Sequence, residues 1–179
     1  MEKTVLILGS SGLTGHQVYN YLKNNSKFNL LNISCNKKLN DETILLDARD
    51  ENIFLDRIKE LKPDYIINFI GVLISRSSND PLSAIFLNAY FPHRLANLAD
   101  RISAKLIHIS TDCVFSGEKK TPYIETDLKD GYGIYANTKS LGEVISDNHL
   151  TIRTSVVGPE LHKTCEGLFD WFMHQDGVI

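Results

Sequence analysis

Near its amino terminus the chain reads "VLILGSSGLTGHQV", residues 5–18, in which four apolar residues run straight into three glycines spaced three apart, Gly9, Gly12 and Gly15. A short apolar strand that must turn at a glycine and start a helix within a few residues is the opening of a βαβ unit. Gly9 permits the tight turn, Gly12 lets the backbone approach a pyrophosphate, and Gly15 lets helix and strand pack closely. The helix amino terminus then offers unpaired amides to the anion. Gly9, Gly12, Leu13, Thr14 and Gly15 are therefore the candidate pyrophosphate loop of a dinucleotide cofactor.

The rhythm set by this unit repeats along the chain. Apolar runs at 5–8, 30–33, 44–46, 65–70, 106–109 and 151–157 read as short strands, mostly continuous rather than alternating, as parallel strands covered on both faces should be. Helical stretches are expected between them at about 14–24, 50–61, 80–102 and 133–147, the third opened by Asp80 as a cap and Pro81 in the first turn. Strands separated by helices imply right-handed crossovers and an α/β, doubly wound parallel sheet of the NAD(P)-binding Rossmann type. Residues 1–160 are read as that domain and 161–179 as the start of a further region.

Composition narrows the class of partner. With 42% hydrophobic and 23% charged residues among 179, the chain carries enough apolar material for one substantial core. A net charge of −3 with scattered charges argues against nucleic acid. The longest apolar run, Tyr65 to Ile74, is about half of the roughly 20 residues a membrane-spanning helix needs, and "MEKTVLILG" lacks the flanks of a signal peptide, so no membrane partner and a cytoplasmic location are expected. The six histidines and the three cysteines, Cys35, Cys113 and Cys165, have no metal-like spacing, and the cysteines read as reduced thiols.

The dinucleotide fingerprint usually continues with an acid at the end of the second strand, where it accepts from the ribose 2′-hydroxyl. Here that place reads "NISCNKK", without an acid and with Lys37 and Lys38 just beyond. Two cations there suit a 2′-phosphate, which favours NADP(H), with NAD(H) as the alternative; both lysines also fit a solvated loop. Asp47 in "LLDARD", with Ala48 beside it, is placed either to accept from the adenine amino group or to cap the following helix. Asn68, at the end of the fourth strand, either touches the cofactor ribose or satisfies local backbone groups. Gly71 follows it on the wall near the nicotinamide.

Two tyrosines precede a lysine by four residues, Tyr19 with Lys23 and Tyr135 with Lys139. Seven tyrosines in 179 residues make about half such a pair expected by chance, so context decides. The first pair lies inside a crossover helix and reads as a core contact. The second opens a helix 24 residues after Thr111, itself at the carboxyl end of a strand, where open α/β sheets bind ligands.

The segments "GSSGLTG", "INFIGV", "LNAYFPHRLANLA", "KLIHISTDCVFSG", "TPYIETD", "YANTKSLGE" and "IRTSVVG" occur in this order over almost the whole chain. Together they resemble the extended short-chain dehydrogenase/reductases, and within them the dTDP-4-dehydrorhamnose reductase branch. Phe69, Ile70 and Gly71 depart from the small alanines usual after Asn68. The resemblance implies an NAD(P)-dependent oxidoreductase that reduces a nucleotide-linked 4-keto-6-deoxy sugar for surface polysaccharide synthesis. Tyr135 would be the proton donor, Lys139 the cation that lowers its pKa and binds the nicotinamide ribose, and Thr111 a hydrogen-bond donor to the substrate oxygen. A nucleotide-sugar epimerase or dehydratase with tightly held NAD, and a non-catalytic NADP-binding regulatory subunit, are the alternatives. Asn88 is read as a brace for this site, and Arg153 as either structural or facing a nucleotide-sugar phosphate. Members of the branch are longer, so 161–179 is expected to begin a substrate lobe that is largely missing. Leu168, Phe169, Trp171 and Phe172 are expected on a helix there, and a homodimer is the candidate assembly.

Overall fold

The computed structural model describes residues 2–159, 161 and 168–175; Cys165 and the last four residues of the tail lie outside them. Six strands, β1 (Thr4–Leu8), β2 (Asn29–Ser34), β3 (Ile44–Leu45), β4 (Tyr65–Asn68), β5 (Lys105–Thr111) and β6 (Leu150–Thr154), form one sheet in the order β3-β2-β1-β4-β5-β6. Every pairing is parallel, with Leu6 opposite Leu31 and Ile66, and Asn68 opposite His108. The strand order reverses between β1 and β4, so the carboxyl ends of these two strands border the crevice in which such sheets take a ligand.

Helices cover both faces, which explains the continuous apolar strands. On one side α2 (Glu51–Leu61) and α5 (Phe91–Arg101) bury Leu6, Leu8, Ile33, Ile66 and Leu106, and Phe54 meets Phe91 edge to face with ring centroids 5.4 Å apart. On the other, α1 (Gly15–Asn25) lays Tyr19 against Val5 and Ile7. The Tyr19 hydroxyl accepts from Asn40 Nδ2 at 2.8 Å and the exposed Lys23 lies 5.8 Å from its ring, so in this first pair the tyrosine is a core contact and the lysine a solvated end.

The stretch expected as one helix over 80–102 is a composite. Asp80 caps it, accepting from the Ser83 N–H at 3.1 Å, with Pro81 in the first turn of α4 (Pro81–Ala84). A π-helical turn (Ile85–Tyr90) follows, closed by the Phe91 N–H donating to the Phe86 carbonyl five residues back, and α5 completes it. An unanticipated short helix, α3 (Ile74–Asn79), precedes it. The helix expected over 133–147, α6 (Gly133–Leu141), stops at Gly142, and β6 ends at Thr154. In the tail, α7 (Leu168–Met173) leaves Leu168, Trp171 and Phe172 exposed. No helix among the described residues is long and apolar enough to cross a membrane, and no metal-binding cluster occurs among them.

Candidate active site

The glycine loop is shaped by contacts that side chains would break. Gly9 holds φ at +79°, and a Cβ on Gly15 would lie 2.2 Å from the Gly9 carbonyl oxygen, inside any allowed contact. The Gly12 N–H donates to that same oxygen at 3.0 Å. Beside the loop a cleft of about 230 Å³ extends over the carboxyl ends of β1, β2 and β4, with Gly9, Gly12, Asp47, Ala48 and Gly71 in its wall. Leu13 and Thr14 line a separate hollow of about 210 Å³ with Val156, Val157 and Pro159, where the chain beyond β6 folds back to the loop.

Lys37 and Lys38 lie on the exposed loop after β2 and do not line the cleft. Its cations are Arg49 and Arg76 instead. Asp47 is gripped by Arg49, whose Nε lies 3.1 and 3.0 Å from the two carboxylate oxygens and whose backbone N–H donates at 2.9 Å. This guanidinium holds the Asp47 carboxyl down at about 2. The residue preceding α2 is Asp50, so Asp47 does not cap that helix. Asn68 is fully buried, bonded to His108 Nδ1 at 3.1 Å and to the Ile70 N–H at 3.0 Å, so its amide serves the protein interior. Burial pushes the His108 imidazole down to about 3 and keeps it neutral.

The second Tyr/Lys pair lies on one side of α6, one turn apart, facing the end of β5. The Tyr135 phenol lies against Thr111; burial pushes its pKa up, and the Thr111 hydroxyl opposes that rise. Lys139 is 5% exposed and donates from Nζ to the Ile109 carbonyl at 2.7 Å. Burial pulls its pKa down to about 8, with Glu143 acting against the fall. In the free protein the Lys139 ammonium is bonded to the strand backbone, and burial, opposed by Thr111, sets the direction of the Tyr135 shift. A raised phenol pKa still suits reduction, since a proton donor must be protonated before the step. Gly71 reaches across from the cofactor cleft: a Cβ there would lie 3.9 Å from Lys139 Nζ and 3.1 Å from Asn88 Oδ1.

Two buried braces fix these groups. Asn88, within the π turn, accepts from the Val72 N–H at 2.7 Å and donates to the Val72 carbonyl at 3.0 Å and to Thr138 at 3.3 Å, tying the cleft wall to α6. Glu143, four residues after Lys139, accepts from Arg153 through both oxygens at 2.7 Å, from Ser110 at 2.9 Å and from Lys129 at 3.1 Å. Arg153 is thus a structural partner, which also donates to the Glu125 carbonyl and lies over Phe115. Sequence reasoning passed over Glu143, although its i+4 spacing from Lys139 was available. It also passed over Asp112, which accepts from Thr111 at 3.2 Å and from the Ser155 hydroxyl.

A parallel sheet in this order, a glycine loop after its first strand and a Thr, Tyr and Lys set at the carboxyl end of β5 define the extended short-chain dehydrogenase/reductase class. Within that class the chain belongs to the family described as the RmlD substrate binding domain, whose model matches residues 3–165. It is 35% identical to dTDP-4-dehydrorhamnose reductase of Shigella flexneri over 107 residues, 57% of this chain and 36% of that protein. Among solved structures it is similar to a hypothetical dTDP-4-dehydrorhamnose reductase from Sulfolobus tokodaii, with a TM-score of 0.76, 28% identity and coverage of 86% of this chain and 55% of that one. The Bacillus anthracis dTDP-4-dehydrorhamnose reductase, solved in complex with NADP, gives a TM-score of 0.73 and 25% identity over 86% of this chain and 53% of that one. The chain thus spans from about a third to about half the length of these relatives.

Proposed function

We propose that the chain is the cofactor-binding and catalytic part of an NADP(H)-dependent reductase of a nucleotide-linked 4-keto-6-deoxy sugar, and that 161–179 begin its substrate-binding region. The observation that carries this reading is the gathering of Thr111, Tyr135 and Lys139 at the end of β5, with Gly71 of the glycine-loop cleft placed so that a Cβ on it would lie 3.9 Å from Lys139 Nζ. The cradle fits a dinucleotide: Gly15 excludes any side chain, Gly9 needs a positive φ, and a Cβ on Gly12 would already be tight against the Gly9 carbonyl oxygen at 3.2 Å, so the loop stays bare where a pyrophosphate needs close approach. When bound, the nicotinamide supplies a hydride. Tyr135, protonated at neutral pH, gives its proton to the ketone oxygen as that oxygen gains charge. The Thr111 hydroxyl, which donates to Asp112 in the free protein, would turn to donate its one proton to the same oxygen and orient it. Lys139 holds its charge below a pKa of about 8 and so provides a positive field and a donor for the cofactor ribose. Exposed apolar residues, among them Leu82, Ile85, Leu141 and Ile145, support association into a homodimer, and a nucleotide-sugar substrate supports a cytoplasmic location.

The test is NADPH oxidation by the longest product containing these 179 residues, offered dTDP-4-keto-6-deoxy sugars, with Tyr135→Phe as control. Turnover that falls by at least ~100-fold in the variant supports the reading, in line with the contribution of a positioned general acid. Binding of NADPH without turnover moves the assignment to a regulatory subunit, and sugar conversion without net NADPH consumption moves it to an epimerase.

A further inference from the structure

We propose that Arg76, assisted by Arg49 from across the cleft, recognises a phosphomonoester on the adenosine ribose of the cofactor and so separates NADP(H) from NAD(H). This inference rests on the reading of the cleft as a dinucleotide site. The two guanidinium groups come from different elements, Arg49 from the turn between β3 and α2 and Arg76 from α3, and both line the same cavity as the glycine loop. Among the described residues, Asp47 is the one carboxylate that lines that wall.

A site that selects an unphosphorylated ribose presents a free carboxylate as acceptor for the 2′-hydroxyl. Here both oxygens of Asp47 are taken by Arg49. One acid and two arginines line the wall, and Asp80, just outside it, lies near enough to feel both guanidinium charges, so it is the hydrogen-bonding capacity left on the arginines that distinguishes the site. Arg49 spends Nε and one terminal nitrogen on Asp47, which leaves its other terminal nitrogen for a ligand. Among the described residues the Arg76 guanidinium donates no hydrogen bond, and its side chain is exposed to the cleft. The hydroxyls of Ser11 and Ser34, hydrogen-bonded to each other, stand in the same wall as additional donors. An uncommitted planar fork of N–H groups beside a neutralised acid matches a phosphate dianion, with its several acceptor oxygens, better than it matches a hydroxyl.

Isothermal titration of the protein with NADPH and with NADH, for the wild type, Arg76→Ala, Arg49→Ala and the double variant Lys37→Ala/Lys38→Ala, tests this. The wild type is expected to bind NADPH at least about 10-fold tighter, and Arg76→Ala to lose about 10- to 100-fold for NADPH with NADH unchanged, as for hydrogen bonds to a charged group. Arg49→Ala frees the Asp47 carboxylate, so NADH should bind tighter while NADPH binds weaker. The double lysine variant should keep the wild-type preference. Equal loss of both nucleotides in Arg76→Ala would assign that arginine to the adenine, and loss of the preference in the lysine variant would move recognition to the β2 loop; either result overturns the proposal. If the wild type binds neither nucleotide, the dinucleotide reading itself falls.

Discussion

Burying Lys139 costs the free protein stability, and Lys139→Met should reveal how much. Methionine keeps the length and apolar stem of the side chain and removes the charge. The fall of the lysine pKa from 10.5 to about 8 corresponds to about 3 kcal/mol of folding free energy withheld at neutral pH, at about 1.4 kcal/mol per unit. The Ile109 carbonyl loses its donor, which returns about 1 to 2 kcal/mol of that gain. The variant should therefore be more stable than the wild type at pH 7 by about 1 to 2 kcal/mol, a rise of a few degrees in Tm for a chain of this size. The sign of the pH dependence follows from the lowered pKa. Between about 8 and 10.5 the unfolded chain binds more protons at this site than the folded one, so wild-type stability rises with pH through that window. The variant lacks this rise, and its advantage should vanish by about pH 10. Urea unfolding followed by circular dichroism at pH 7 and pH 10 gives both differences, and subtracting one protein from the other cancels the remaining titrating groups. A variant less stable than wild type at pH 7, or a gap that does not change with pH, would refute the reasoning.

Two further substitutions probe the braces. Glu143→Gln should destabilise by about 3 kcal/mol in chemical denaturation, because Arg153 and Lys129 lose a buried counter-ion. Burial raises the Glu143 pKa, but Arg153, Ser110 and Lys129 together hold it below its ordinary 4.5, so the wild-type advantage should be full above pH 4.5 and fade as the pH falls through the folded value. Gly142→Ala would place a Cβ 1.8 Å from the Asn88 carbonyl oxygen, forcing α6 away from the π turn; a lowered Tm together with weaker NADPH binding in calorimetry is expected, and an unchanged Tm would show that the two elements can separate without cost.

What could be read from the sequence divides along physical lines. The strand before Gly9 and the buried runs of β1, β4 and β5 declare themselves because both of their faces are covered, and Asp80-Pro81 marks a helix start by local chemistry alone. Tyr135 and Lys139 are legible because helical spacing places them together without help from the rest of the chain. The hidden features depend on packing between distant segments. Helix α3, "ISRSSN", has no apolar period, and its Ser77 is buried by donating to the Val72 carbonyl at 3.1 Å, a contact no pattern signals. Arg49 and Arg76 reach one cavity from the segments that follow β3 and β4, two strands with β2 and β1 between them in the sheet, a convergence that sequence spacing does not show. The lowered pKa of Lys139 comes from burial beneath the strand it bonds, which its position in the motif does not disclose.

The π turn at Ile85–Tyr90 makes this helix sensitive to its own length. A single extra residue is absorbed there, and each α-helical residue turns the axis by about 100°. Deleting one residue other than Asn88 between 85 and 90 would let a plain α-helix close with its flanking turns in phase, and the residues left in the turn would shift by up to that angle against Val72 and α6. Asn88 would leave Val72, which unties the cleft wall from α6 while α4 and α5 keep their places. Short deletions are ordinarily absorbed by surface loops, yet here a one-residue gap inside a helix is expected to disable nucleotide binding while every functional side chain is still encoded. Alignments of relatives that place gaps freely in this helix would therefore misregister the site.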